Sequence, residues 1–560
     1  MTKFKSIIQP VVLALTATMI FCASSTAGTI SGRITCNGNG VSGIAVSDGY
    51  IVTTTDSTGN YSFNSQKKNG YVFYSIPAGY EPIAKDKKDN FVPPFWAHLK
   101  SKDIDKSETH DFRLKKVQND IFSMVVGADI HLANRVNDVK QFGDLFMTSI
   151  DRLVSSHPSN KFYSMFLGDI SWDVYWYENN YGLKSVKKTL AKDRYPMLLF
   201  PVMGNHDNNP ATPCDSMTDF NASSMFRQVM APNYYSYNIG KIHFVVLDDI
   251  VYKNEPSLGK KSNKGVVGKR NYEAYITPEQ IKWLEKDLAL VTDKTTPIII
   301  GMHIPAWKLD TSNNYKAVGK LKGNSNAQLA NAVKDFSRVI ILSGHTHYNY
   351  HAHPADIPNL KENNIAAVCA TWWNTVPLSA RHIGNDGSPG GYNIYNFNGK
   401  DISWKYIPID KVDSVGFSQF RAYDMNIIRN FYKTDERAVK LIQFFPKRVD
   451  FSKAEDNEIL INVFNYDTDW KIEVVENGVP LDIKRISTED PLHTLCFDLP
   501  TFKSKGWRFG ANSGTIRNTH MFVAKAKSAE APVIIKVTDS FGNVYTLTMV
   551  RPKQFTVDMQ

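Results

Sequence analysis

The chain has 560 residues, 42% of them hydrophobic and 21% charged, with 65 Lys plus Arg against 55 Asp plus Glu for a net charge of +10. This length exceeds one hydrophobic core and calls for three or four domains at roughly 100–200 residues each, and the composition excludes a disordered, collagen-like or coiled-coil chain. The cations form no concentrated basic run, so no nucleic-acid-binding signature accompanies the positive balance.

Lys3 and Lys5 precede an apolar stretch from Ile7 to Cys22, then the small residues Ala23, Ser24, Ser25 and Ala27. That order predicts a signal peptide over 1–27 and an exported product, periplasmic or extracellular. Lipid attachment at Cys22 would anchor the product in an outer membrane, but the bulky Phe21 just before it argues against this. Cys36, Cys214, Cys369 and Cys496 are widely spaced with no CxxC pair, so they predict neither a zinc knuckle nor a dense disulfide framework. No pattern points to an oligomeric partner.

Residues 28–114 carry short β-rich runs, such as Ile51 to Thr55, Tyr61 to Phe63 and Val72 to Ile76, separated by Gly, Asn and Asp turns. They predict a small β-sandwich. The segments Ser31-Gly32-Arg33-Ile34 and Asp56-Ser57-Thr58-Gly59-Asn60-Tyr61-Ser62-Phe63 resemble the transthyretin-like modules appended to secreted enzymes. Over 115–410, strands expected at Ile121 to Val126, Phe162 to Leu167, Met197 to Val202, Ile242 to Leu247, Pro297 to Met302 and Val339 to Leu342 alternate with helices near 138–155, 180–192, 277–291 and 325–336. Thr277-Pro278-Glu279-Gln280 reads as a capping box opening the third of those helices. From 411 to 560 β-rich runs return, and the flanking β domains allow an envelope or glycan contact.

Chemistry-bearing residues gather just after the central strands. Asp129 and His131 follow the first, Asp169 the second, Asn205 and His206 the third, His303 a later one, and His345 and His347 the last. Ligands collect at the carboxyl ends of strands in open α/β sheets, so these distant positions converge on one pocket. Seven candidate ligands exceed the three that a mononuclear catalytic zinc site uses, and a carboxylate such as Asp169 can be shared between two ions. The mixed nitrogen and oxygen set suits two divalent or mixed-valence ions of iron, manganese or zinc.

The ordered blocks Asp129-Ile130-His131, Gly168-Asp169, Gly204-Asn205-His206-Asp207, Gly301-Met302-His303 and Gly344-His345-Thr346-His347 closely resemble those of the calcineurin-like metallophosphoesterase superfamily. The resemblance implies that Asp129, His131 and His347 hold one ion and Asn205, His303 and His345 the other, with Asp169 bridging them. It also places His206 beside the leaving-group oxygen. Ile170 stands where the family often has Asn, which leaves the ligand types intact. The expected fold is multidomain: a central α/β metallophosphoesterase sandwich flanked by two β-rich domains. The expected reaction is hydrolysis of a phosphate ester, first a phosphomonoester, by attack of metal-bound hydroxide. Diester or pyrophosphate hydrolysis is the alternative, and a glycan-binding or adhesion protein with a vestigial centre is the non-enzymatic one. Asp207 is expected to orient a histidine or a loop. Trp172, Asp173 and Trp373 are candidate substrate contacts, and Arg381 is a candidate phosphate contact.

Overall fold

A computed structural model describes residues 28–83, 91–257, 261–262, 265–266, 268–416, 418–504 and 514–560. The expected signal peptide over 1–27, with Cys22, lies outside the described residues. No helix among the described residues is long and apolar enough to cross a membrane.

The centre of the molecule is two facing sheets built from the apolar runs. One orders β3 (Leu198–Val202), β2 (Phe162–Leu167), β1 (Ile121–Gly127), β10 (Gly391–Asn398) and β11 (Asp401–Pro408). Strands β1 to β3 are parallel, while β10 and β11 return antiparallel. The other sheet orders β4 (Tyr235–Ile239), β5 (Ile242–Val246), β6 (Ile298–Gly301), β7 (Val339–Ser343), β9 (Leu360–Asn364) and β8 (Tyr350–Ala352), with β5, β6, β7 and β9 parallel. Aromatic rings seal the two layers: Phe200 of β3 stacks on Tyr237 of β4 at 3.8 Å, and Phe244 of β5 meets Phe397 of β10 at 5.7 Å. Burying each such ring contributes about 2 kcal/mol. Fully buried parallel strands read as continuous apolar runs, which is why their positions were legible.

The helix α1 (Pro278–Ala289) turns Ile281, Leu284 and Leu288 inward, and Thr277 Oγ1 accepts from the Gln280 amide at 3.4 Å. The reciprocal half of the expected capping box is missing. The Gln280 side chain instead clasps the backbone of Asp248, donating to its carbonyl at 2.7 Å and accepting from its amide at 3.0 Å.

The amino-terminal β-sandwich shares its core with the central layers. Phe73 packs on Trp283 of α1 and Phe95 on Tyr235 of β4, and the amide of Asn238 donates to the carbonyl of Ile76 at 2.8 Å. The carboxy-terminal region has two four-stranded sheets and also helices that the β-rich expectation omitted, among them α2 (Met425–Thr434) and α3 (Glu436–Phe444). Their start signals are in the sequence: Asp424 and Asp435 cap them. Met425, Ile428 and Tyr432 line one face of α2. The four cysteines within the described residues are free.

Candidate metal centre

The carboxyl ends of β1, β2, β3, β6 and β7 meet at one edge of the sandwich, and the backbone there turns sharply. Asp129, His131, Asp169, His345 and His347 all have left-handed φ, between 48° and 68°. Non-glycine residues adopt this conformation in only a few per cent of cases, and such strain concentrates at functional sites. Two glycines make room for it. A Cβ on Gly204 would sit 2.0 Å from the Asp169 amide nitrogen, and one on Gly168 would sit 2.5 Å from His303 Nδ1.

Seven expected ligands converge. His131 Nε2 lies 3.1 Å from His347 Nε2, and Asp129 Oδ1 stands 3.9 Å from the first and 3.4 Å from the second. His303 Nε2 lies 3.1 Å from Asn205 Oδ1 and 3.2 Å from His345 Nδ1. Asp169 Oδ2 reaches both groups, at 3.6 Å from His131 Nε2 and 3.2 Å from His303 Nε2. Donors that each stand about 2.0–2.2 Å from a common cation lie roughly 3.0–3.6 Å from one another, so these spacings fit two cation sites sharing one carboxylate. The buried Asp129 Oδ1 accepts no hydrogen bond, which an oxygen aimed at a cation does not need.

The electrostatics agree. Burial would raise Asp169, but His303 and His206 outweigh it and hold the carboxyl well below its usual range. Burial keeps His131 and His345 neutral, the form that binds metal. Against burial, Asp169 lifts His303 to about 10. His347 is raised too, against burial, by Cys369 and then by Asp129. The negative field that draws protons onto those rings also attracts cations.

His206 lies beside this cluster, part-exposed to a cavity of about 740 Å³. Its amide donates to Asp169 Oδ1 at 2.7 Å, and its Nδ1 lies 2.7 Å from Asp173 Oδ1. Burial opposes protonation, but Asp173 and Asp169 raise His206 above its ordinary value. Asp207 faces away from the cavity. It accepts from the amides of Ile170, Ser171 and Gly204 and from Ser171 Oγ, tying the loops of Asp169 and Asn205 together. Burial, then Asp169, pushes its carboxyl up to about 7.

The candidate substrate contacts separate. Trp172 packs edge-on against His131 at 5.3 Å under the Arg135 guanidinium, and Trp372 covers His347 at 4.4 Å. Trp373, expected at the substrate, is instead fully buried. Its indole N–H donates to the Ile130 carbonyl and its ring stacks on His382. Arg381, expected at a phosphate, also lies elsewhere. It is buried, with its guanidinium on Asp410, Asp413 and the carbonyls of Val557 and Met559, so it ties the carboxy terminus down and touches no part of the cavity. Asp173 acts through His206 and Arg270, with Arg270 Nη1 3.0 Å from the same Oδ1.

Several site residues were missed by sequence reasoning. Arg270 and Tyr272 line the cavity, and Tyr272 Oη lies 3.3 Å from His345 Nε2. Neither sits in a motif. Asp249 accepts from the amides of His303 and Ile304 and fixes that loop. It follows β5, and a carboxylate at a strand end was the signal that could have found it.

The fold and centre define a two-layer α/β sandwich with two donor groups fit for a paired metal site. The family model described as calcineurin-like phosphoesterase matches residues 122–349, and its amino-terminal and carboxy-terminal companions match 28–117 and 362–545. The chain belongs to the calcineurin-like phosphoesterase family. Purple acid phosphatase 15 of Arabidopsis thaliana is 26% identical over 129 residues, 22% of this chain and 20% of that protein, so the match spans about a fifth of the curated relative. A dimetal phosphatase from Danio rerio aligns with 52% of this chain and 96% of its own at 12% identity and a TM-score of 0.32. The 5'-nucleotidase of Candida albicans aligns with 76% and 92% at 10% identity and a TM-score of 0.28.

Proposed function

We propose that the chain is an exported, metal-dependent hydrolase of phosphate monoesters. The observation that carries this reading is the convergence of Asp129, His131, Asp169, Asn205, His303, His345 and His347 into two donor groups that share Asp169, with His206 on the cavity side. Asp129, His131 and His347 would hold one cation, Asn205, His303 and His345 the other, with Asp169 between them. When bound, the pair neutralises charge on phosphoryl oxygens and lowers the pKa of water. The mixed nitrogen and oxygen donors suit iron, manganese or zinc.

This chain's own residues account for the remaining steps. Asp173 accepts from His206 Nδ1, which leaves Nε2 to carry the proton that the departing alkoxide takes. Asp207 keeps the Asp169 and Asn205 loops in register. Arg270 lines the cavity, held by Asp173 next to His206. A monoester brings two charges to Arg270 and the cation sites where a diester brings one, which supports the monoester reading. Export rests on the charged and apolar order of residues 3–27.

The test is a screen of the metal-reconstituted protein over phosphate monoesters, diesters, nucleotides and phospholipid headgroups, paired with metal stoichiometry. Monoester turnover with two bound ions is expected. Turnover of diesters alone, or none with any metal, would overturn the reading. Amino-terminal sequencing of the product recovered outside the cytoplasm tests export.

A further inference from the structure

The cavity over the metal centre is closed on its far side by the carboxy-terminal domain. Phe445, Arg448, Thr515 and Ile516 of that domain line it together with His206, Asn205 and Lys269 of the central part of the chain. The far wall is fixed to the metal side by buried hydrogen bonds. Thr371, beside Trp372, places Oγ1 2.9 Å from His493 Nε2, and His493 Nδ1 lies 2.7 Å from Thr515 Oγ1. Thr515 Oγ1 donates to Asp498 Oδ2 at 2.5 Å, and that oxygen accepts from Arg448 Nη2 at 2.6 Å. The amide of Ile516 also donates to the carbonyl of Asn385, a cavity residue of the central part of the chain.

The charge on this wall has a direction. Glu489 and Asp498 hold the Arg448 guanidinium through Nε and Nη2, and neither acid lines the cavity. Lys269 is likewise held by Glu255, which lies outside it. Asp169 is the one carboxylate among the described residues that line the cavity, and it faces the metal groups. A guanidinium oriented from behind loses little further side-chain entropy when its remaining edge meets an anion.

We infer that Arg448 and Lys269 form a distal anion subsite, so that the preferred substrate is a phosphate monoester whose alcohol part carries a second anionic group. The inference rests on the monoester reading and names its substrate class. The carboxy-terminal domain thereby sets specificity, and the transferred phosphoryl group sits at the metal end while the second anion meets Arg448.

The experiment compares kcat/KM of the metal-reconstituted full chain on two pairs: fructose 1,6-bisphosphate against fructose 6-phosphate, and 3-phosphoglycerate against glycerol 3-phosphate. The two-anion member is expected to be preferred by about tenfold, the scale of one charge-assisted hydrogen bond. Preference in the first pair alone identifies the second anion as phosphoryl, and in both pairs as any anion. Arg448→Gln should abolish most of the preference and Arg448→Lys part of it. Lys269→Gln, at an exposed position where folding is not at stake, should lower it in the same direction. Lys536→Gln, on the outer sheet of the carboxy-terminal domain, should leave it unchanged. Equal kcat/KM within both pairs for the wild type, or a preference undiminished in the folded Arg448 variants and in Lys269→Gln, would overturn the subsite. If p-nitrophenyl phosphate is turned over while the pairs are equal, only this inference fails. If no monoester is turned over, the monoester reading fails with it.

Discussion

Asp173 Oδ1 lies 2.7 Å from His206 Nδ1 and is itself buried, so the imidazole is held in one orientation with its other nitrogen toward the cavity. His206→Ala removes the proposed proton carrier and none of the proposed metal donors. It should lower kcat by about 10²–10⁴, more for alkyl phosphates than for p-nitrophenyl phosphate, whose leaving group needs no proton. Asp173→Asn should show the same leaving-group dependence at smaller size. Steady-state kinetics on the two ester types, with metal analysis alongside, checks both. Equal losses on good and poor leaving groups would remove His206 from proton transfer.

Asp169→Ala acts on a different step. One carboxylate oxygen stands 3.6 Å from His131 Nε2 and 3.2 Å from His303 Nε2, so its loss opens both donor groups at once. Bound metal should fall from two ions towards one or none, together with activity. Elemental analysis after dialysis against a weak chelator reads this directly, and two ions retained as tightly as in the wild type would reject the shared role.

The convergence of the seven side chains was legible because each follows an apolar strand within a short block, with Gly168 and Gly204 making room for the turn at Asp169. Asp129 and His131, or His345 and His347, need only two-residue spacing on a strand-exit loop to point inward. Arg270 and Arg448 had no such mark: a cation near a cavity is brought there by chain segments distant in sequence, and its own neighbours carry no periodicity. Trp373 and Arg381 were misplaced for the converse reason. Trp372 and Trp373 are adjacent, yet only Trp372 covers His347 while Trp373 points into the core. Arg381 finds buried acids some 30 residues later.

Arg381 is a buried ion-pair centre, and its removal has a thermodynamic cost instead of a kinetic one. Arg381→Met leaves Asp410 with backbone amides and no ion-pair partner, and Asp413 with Arg421 as its one ion pair among the described residues. Breaking a buried pair from one side costs about 3–5 kcal/mol. A urea midpoint lowered accordingly, with kcat/KM of the folded protein preserved, is the expected result. A loss of phosphate affinity at unchanged stability would return Arg381 to the substrate.

The amino-terminal sandwich carries its own acid sensitivity at Glu108. Burial would raise this carboxyl, but the Lys100 amide at 2.7 Å, the Lys67 ammonium at 2.9 Å and the Ser101 amide at 3.0 Å bring it down from 4.5 to about 2. A carboxyl whose folded pKa lies below its unfolded one stabilises the fold at every pH above the unfolded value and loses that contribution as pH falls through the folded value. Glu108 therefore contributes stability at neutral pH that is lost as pH falls between about 4.5 and 2. Glu108→Gln removes the titration, so the stability gap between wild type and variant should be widest near pH 7 and close across that window. Urea denaturation of both proteins at several pH values from 7 to 2.5, followed by tryptophan fluorescence, measures the gap, and a gap that stays constant over that range would show that the Lys67 and backbone contacts act through packing and not through the charge of Glu108.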